Sequence, residues 1–302
     1  MIRSLFLIII VGIGAAFIGY FYHYNPTTPL EYTFTPAYEL LGRSTKAFDR
    51  VLSKVIPVNS VDERQYGDAI ARRFQSRIKE SAEQDYLNDL MKNISAFAKK
   101  PFQYRVYIID YQTPNAFAMP GGIIFISRGL LQVVQSEAEL VYILAHEMGH
   151  IELSHCFDSV RFELLAKKVH AEMLGKIADF TMTFFLRHSF SKTMENEADA
   201  YAYALLINTR YDPSAAGMSF ESLLNYRTAY MYKGAGAADP IKEYFQTHPY
   251  TELRKETYIE TARQWWASHP GEARYRGKLN LQRRSSFYKS QISSEWISGM
   301  DR

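Results

Sequence analysis

Two histidines four residues apart, with a glutamate directly after the first, form the group in this chain best suited to chemistry: His146-Glu147-Met148-Gly149-His150. On a helix, positions i and i+4 share a face, so both imidazoles can grip one ion. The glutamate between them points in a neighbouring direction, where it can take a proton from metal-polarised water and pass it to a leaving amine. Leu140, Val141, Leu144 and Ile151 supply the apolar face that a buried helix needs. Cys156 is the single cysteine, so there is no internal disulfide and any metal must be held by histidine and carboxylate. Zinc suits such a donor set. A catalytic zinc takes a third protein ligand and leaves a fourth position for water.

Three patterns compete for the third ligand. A histidine six residues after His150, with a glycine between, fails because Cys156 and Leu153 hold those positions. Glu172 stands about one helix away. The segment Glu195-Asn196-Glu197-Ala198-Asp199 is preferred, because Glu195 and Asp199 are i and i+4 and can both face the histidine helix. One carboxylate can then bind the ion while the other accepts the free N–H of a ligating imidazole. Ala198, Ala200 and Ala202 allow this second helix to approach closely.

The elements that must position these residues read as an α+β fold, mainly helical with a small β-sheet. Ser136 and Glu139 have capping-box spacing and open the motif helix, which runs through Leu153. Helical periodicity from Asp62 stops near Lys100 at Pro101. A strand over Gln103 to Asp110 follows, then a turn at Thr113-Pro114-Asn115 and a second short strand from Ile123 to Ser127. Asp158 to Arg187 reads as a long helix or helix pair, with His170 and His188 on its surface or in its core. The Glu195 helix spans about Thr193 to Asn208. The last thirty-odd residues are polar and basic, expected as a poorly packed tail. The chain divides into residues 1–24, a membrane anchor; 25–61, a Pro-, Thr- and Tyr-rich linker; 62–268, the catalytic domain; and 269–302, the tail.

The anchor rests on Leu5 to Tyr22, an uncharged, mostly apolar run long enough to cross a bilayer, with Arg3 before it. No Lys or Arg follows until Arg43, which places the remainder outside the cytoplasm in a single-pass arrangement. Gly14-Ala15-Ala16 offers the competing reading of an exported chain whose signal is removed. A net charge of +3 does not call for nucleic acid. Oligomeric state is not legible.

With these motifs in order, the chain resembles peptidase family M48, which includes HtpX-like proteases, CAAX-prenyl endopeptidases, and periplasmic or mitochondrial inner-membrane quality-control proteases. The resemblance runs from about Asp62 to Thr257. It is carried by Asn115 through Gly122 with Ile124-Phe125-Ile126 and Arg128-Gly129-Leu130-Leu131, by Glu137-Ala138-Glu139-Leu140 leading into the His-Glu-His motif, by Ser191 through Asp199, and by Thr247-His248-Pro249 with Arg254. Lys192 departs from the arginine common in the family. The resemblance implies a zincin-type domain with one Zn2+, Glu195 as third ligand and Asp199 as the carboxylate that supports the ligands from behind. It also implies that His248 and Arg254 approach the site and stabilise the oxyanion. His155 falls where the family often has a further histidine and reads as a structural helix-end residue rather than a ligand.

The expected reaction is peptide hydrolysis with Glu147 as general base. Asn115, Ala116, Gly121 and Gly122 flank an expected edge strand, Ile123 to Ser127, to which an extended peptide adds through its main chain. That favours unfolded or misassembled protein as substrate, and the family resemblance points to envelope proteins of a bacterial inner membrane facing the periplasm. The alternative is a zinc-binding chaperone or assembly factor with little proteolysis.

Overall fold

The computed structural model describes residues 60–75, 81–159, 190–232, 248–249 and 251–299. The chain divides into two compact units, Met1–Pro57 and Val58–Arg302. The first holds the expected anchor and most of the linker, and it lies outside the described residues, as do Glu172, His170 and His188. Among the described residues no helix is long and apolar enough to cross a membrane.

Helix α1 (Ser60–Gln75) buries Ile70, Ala71 and Phe74. Helix α2 (Ala82–Ile94) starts where Ser81 Oγ accepts the Gln84 N–H, and buries Tyr86, Leu87, Leu90, Met91 and Ile94, a stripe at helical spacing. Three strands follow: β1 (Arg105–Ile109), β2 (Ala116–Met119) and β3 (Ile123–Ser127). They form one sheet in the order β1-β3-β2, with β1 parallel and β2 antiparallel to β3.

The sheet order corrects the expected edge strand. Ile123–Ser127 is the central strand and every residue in it is buried. Its unbroken Ile-Ile-Phe-Ile run is what a strand covered on both faces requires, whereas a half-exposed edge strand alternates. The outer strand beside the motif helix is β2, which begins at Ala116. Gly121 and Gly122 close the β2–β3 turn with φ of 81° and 92°, a region open chiefly to glycine. The turn is pressed onto α1: a Cβ on Gly67 would stand 2.6 Å from the Gly121 Cα.

Helix α3 (Arg128–Val133) leads to α4 (Glu137–Glu152), the motif helix. Ser136 Oγ accepts the Glu139 N–H, which satisfies one orphan donor of the helix start, while Glu139 Oε2 accepts the Gln135 N–H just before the cap. Residues Glu137 to Ile151 are all buried. Helix α5 (Lys192–Asn208) crosses α4 closely enough that a Cβ on Gly149 would lie 3.1 Å from the Ala198 carbonyl oxygen. Helices α6 (Ala215–Tyr232) and α7 (Thr251–Ser268) pack on each other, and α6 also packs on α4.

The C-terminal segment is packed, contrary to expectation. Strands β4 (Ala273–Tyr275) and β5 (Trp296–Ser298) pair antiparallel, with α8 (Lys278–Arg283) between them. Tyr275, Leu281 and Phe287 are buried. The Arg276 and Gly277 carbonyls accept the Ala138 and Glu137 N–H groups, 3.1 Å each, so this segment caps the start of α4. Its basic residues find acidic partners: Arg276 with Asp212, Arg284 with Glu83, and Lys289 with Asp89. Of the aromatic residues interleaved among those charges, Tyr275 and Phe287 go inward, whereas Tyr288 is exposed.

Candidate metal centre

Helix α4 directs His146 and His150 to one face, and their Nε2 atoms stand 3.1 Å apart. Helix α5 brings Glu195 against both. Its Oε1 is 3.3 Å from His150 Nε2, and its Oε2 is 3.6 Å from His146 Nε2. His248, just before α7, adds Nδ1 at 3.4 Å from His146 Nε2 and 3.3 Å from Glu195 Oε2. These four buried residues each offer one ligand atom, all within 4.8 Å of one another. A tetrahedral zinc with bonds of about 2.0–2.1 Å separates its ligand atoms by about 3.3 Å. Separations of 3.1–3.6 Å among its atoms come close to that spacing, and its chemistry is nitrogen-rich and thiolate-free, so the residues fit zinc.

Behind the quartet, Asp199 Oδ1 lies 2.9 Å from His146 Nδ1 and accepts the Tyr142 hydroxyl at 3.0 Å. Arg254 donates from Nε and Nη2 to the two Asp199 oxygens, 2.7 Å each, and its Nη1 is 2.6 Å from Glu195 Oε2. Carboxylates, rather than open space, therefore receive the Arg254 charge; the guanidinium also sits 4.8 Å over the Phe220 ring. Burial, the largest single influence, would raise both carboxyl groups, but the Arg254 charge together with the hydrogen bonds and charges of the neighbouring imidazoles outweighs it. Asp199 is held down to about 2, and Glu195 well below the usual carboxylate range. Both are anions in a buried setting, as ligand and support must be.

The imidazoles respond in opposite senses. Burial lowers His146 and His150, so both stay neutral and able to ligate. His248 is pulled up, because the Glu195 and Glu147 charges overcome its burial. Glu147 itself is raised by burial, against the opposing pull of His248 and His146. Its Oε1 is 3.6 Å from His248 Nε2, and its Oε2 is buried with no hydrogen-bond partner. It shares that condition with Glu195 Oε1 at the same site. His248 Nε2 also lies 3.4 Å from the Ala116 carbonyl, so β2 borders the quartet directly.

Of the flanking residues, Ala116 is therefore at the site's edge, preceded by Asn115, which is buried. Gly121 and Gly122 are at the far end of β2, in the turn clamped by Gly67. Two contributors, Tyr142 and Phe190, escaped the sequence reading. Tyr142 sits four residues before His146, a spacing that would have placed it on the same face. Phe190 stacks on His150, with centroids 3.9 Å apart, and nothing local marks it. His155 is not in the quartet, but its Nδ1 lies 3.1 Å from His150 Nδ1 and its Nε2 3.3 Å from Glu197 Oε2. Burial and the nearby His150 push it down to about 3.

Comparison with known proteins follows the same residues. The profile of peptidase family M48 matches residues 81–262. The mitochondrial metalloendopeptidase OMA1 of Schizosaccharomyces pombe is 27% identical over 176 residues, 56% of this chain and 50% of that protein. The metalloprotease LoiP of Escherichia coli is 32% identical over 146 residues, 45% of this chain and 56% of its own. The beta-barrel assembly-enhancing protease of Escherichia coli is 24% identical over 214 residues, 64% of this chain and 42% of that protein. The chain thus spans about half the length of the curated relatives it matches.

Proposed function

We propose, on the premise that this chain belongs to peptidase family M48 and is a zinc metalloprotease, that it is an endopeptidase acting on unfolded or misassembled proteins. The observation that carries the reading is the buried quartet of His146, His150, Glu195 and His248, with the Glu147 carboxylate beside it. In this reading His146, His150 and Glu195 hold the ion. Bound there, zinc supplies Lewis acidity and lowers the pKa of water towards neutrality.

The chain's own residues do the rest. Glu147 has a raised pKa and an unsatisfied Oε2, so it can take a proton at that oxygen and release it to the departing amine. Asp199 and Arg254 act through His146 and Glu195: they fix the His146 ring and keep the Glu195 carboxylate charged. An extended substrate pairs its main chain along β2 from Asn115 and Ala116, which selects for accessible, unfolded backbone rather than one side-chain sequence. Gly121 and Gly122 set the end of that strand.

His248 favours a latent form. With Nδ1 in the quartet, four protein atoms surround the metal position, where a catalytic zinc keeps one open. Access for a substrate carbonyl then requires His248 to leave that place.

The exported, single-pass arrangement is part of this proposal and rests on the apolar run Leu5 to Tyr22. Envelope proteins are the proposed clients, in line with the name of the beta-barrel assembly-enhancing relative. The test is zinc content and cleavage of an unfolded protein, with Glu147→Gln alongside. One zinc in both proteins, with cleavage lower by about 10²-fold or more in the variant, is expected. Zinc in both with cleavage in neither would instead identify a latent enzyme or a zinc-binding assembly factor, and cleavage gained on His248→Ala would mark the former.

A further inference from the structure

We propose that His155 is a positioning residue for the metal centre: it fixes His150 in the tautomer and ring orientation that ligation requires, and is itself anchored by Glu197 on α5. The inference rests on the metal reading above and adds a residue that this reading does not use.

The geometry determines where the protons go. His150 presents Nε2 to the quartet, so its Nδ1 carries the hydrogen and needs an acceptor. Metal-bound histidines usually find a carboxylate or carbonyl for that hydrogen, as His146 does in Asp199. His150 has His155 Nδ1 instead, at 3.1 Å, with both rings buried. His155 can accept there only with its own proton on Nε2, and Nε2 lies 3.3 Å from Glu197 Oε2. The chain His150 Nδ1–H to His155 Nδ1, then His155 Nε2–H to Glu197, satisfies both rings with one arrangement of protons.

The fold arranges this approach at some conformational expense. Helix α4 ends at Glu152, and Ser154 then adopts φ of 64°, a left-handed conformation uncommon for a serine. That turn sends the chain back so that His155, five residues after His150, meets the ring it left behind. The end of α4 is pinned from outside: Glu152 accepts the Lys99 and Lys100 backbone N–H groups, and Lys100 Nζ donates to Ser154 Oγ at 2.8 Å. Phe190 closes the remaining side by stacking on His150 and leaning on His155. Glu197 comes from the same helix as Glu195, two residues on, so α5 contributes to both ends of the His150 ring.

The test uses the full-length protein and reads zinc affinity by competition with a chelating dye. His155→Phe fills the space without an acceptor and is expected to weaken zinc binding by about 10–100-fold. His155→Asn puts an amide oxygen near the vacated Nδ1 and should restore most of that loss. Should the Phe variant fail to fold, as circular dichroism would show, Glu197→Ala on the half-exposed far end is expected to weaken binding in the same direction. Nitrogen-15 spectra of the zinc-loaded native protein should show His155 protonated at Nε2 and bare at Nδ1. Equal affinity of the Phe variant and the native chain, equal losses for Phe and Asn, no effect of Glu197→Ala, or a proton on His155 Nδ1 would each overturn the proposal. A native chain that takes up no zinc fails the metal reading itself; zinc uptake with unchanged variants fails only this one.

Discussion

Residue by residue, the centre divides into groups whose spacing announces them and groups brought in by the fold. His146, Glu147 and His150 declare themselves because a helix makes i and i+4 neighbours, and Glu195 and Asp199 do so for the same reason. His248 is different. It stands 53 residues beyond Glu195 on an irregular stretch with no periodicity to read, and only its order among the other motifs singles it out. That it would meet the other three at ligand spacing was not legible, since a closure of that length depends on how α5 and α7 pack. The consequence is testable by removing the ring. His248→Ala should still bind zinc through His146, His150 and Glu195, and should cleave an unfolded protein faster than the native chain. The expected gain is about tenfold if the native open form is populated about one time in ten. A slower variant, measured at equal zinc content, would give His248 a direct part in stabilising the reaction rather than in closing the site.

The elements show how a short apolar run can be located correctly and still be assigned the wrong neighbours. The segment Ile123 to Ser127 reads as a strand, and it is one. Its place at the centre of the sheet was written in the absence of alternation, a signal that also fits a buried helix segment and so carries less weight than period. The α+β reading of short strands among helices agrees with the described sheet and helices. What no pattern reveals is the contact of Gly67 on α1 with Gly121 in the β2–β3 turn, two backbones too close for a side chain. In an isolated helix, Gly67→Ala would favour α1 by about 1 kcal/mol. Here the added methyl meets backbone atoms that cannot move aside, and overpacking of that kind costs about 1–3 kcal/mol. A thermal melt should therefore show Gly67→Ala destabilised; a rise in melting temperature would mean that α1 and the turn do not press together in solution.

In the whole molecule, the segment after Ser268 changes most from sequence to structure. Its basic composition suggested a solvated tail, because counting charges hides the three large side chains between them. Tyr275 and Phe287 pack on Tyr211, Trp296 and each other, and they enclose Glu137, the first residue of α4. Glu137 accepts the Tyr211 hydroxyl at 2.6 Å and the Phe287 N–H at 2.8 Å, yet burial pushes its carboxyl up to about 7. The sign follows from linkage. Between the ordinary value of 4.5 and 7 the folded chain holds a proton that the unfolded chain has lost, so stability from this group falls as pH rises through that window. The full effect is on the order of 3 kcal/mol. Glu137→Gln keeps the acceptor oxygen and removes the charge. It should melt like the native protein near pH 4.5 and at a higher temperature near pH 8; equal melting temperatures at both would mean that Glu137 titrates normally. The same contact has a meaning in time. Phe287 emerges from the ribosome 150 residues after Glu137, about 8–30 s later at ordinary rates of synthesis. Until this segment arrives, the first backbone donors of α4 lack the Arg276 and Gly277 carbonyls and Glu137 lacks the Phe287 N–H, so the helix that carries His146, Glu147 and His150 has no finished start. A nascent chain is thereby given an interval of synthesis in which its cutting edge is unassembled.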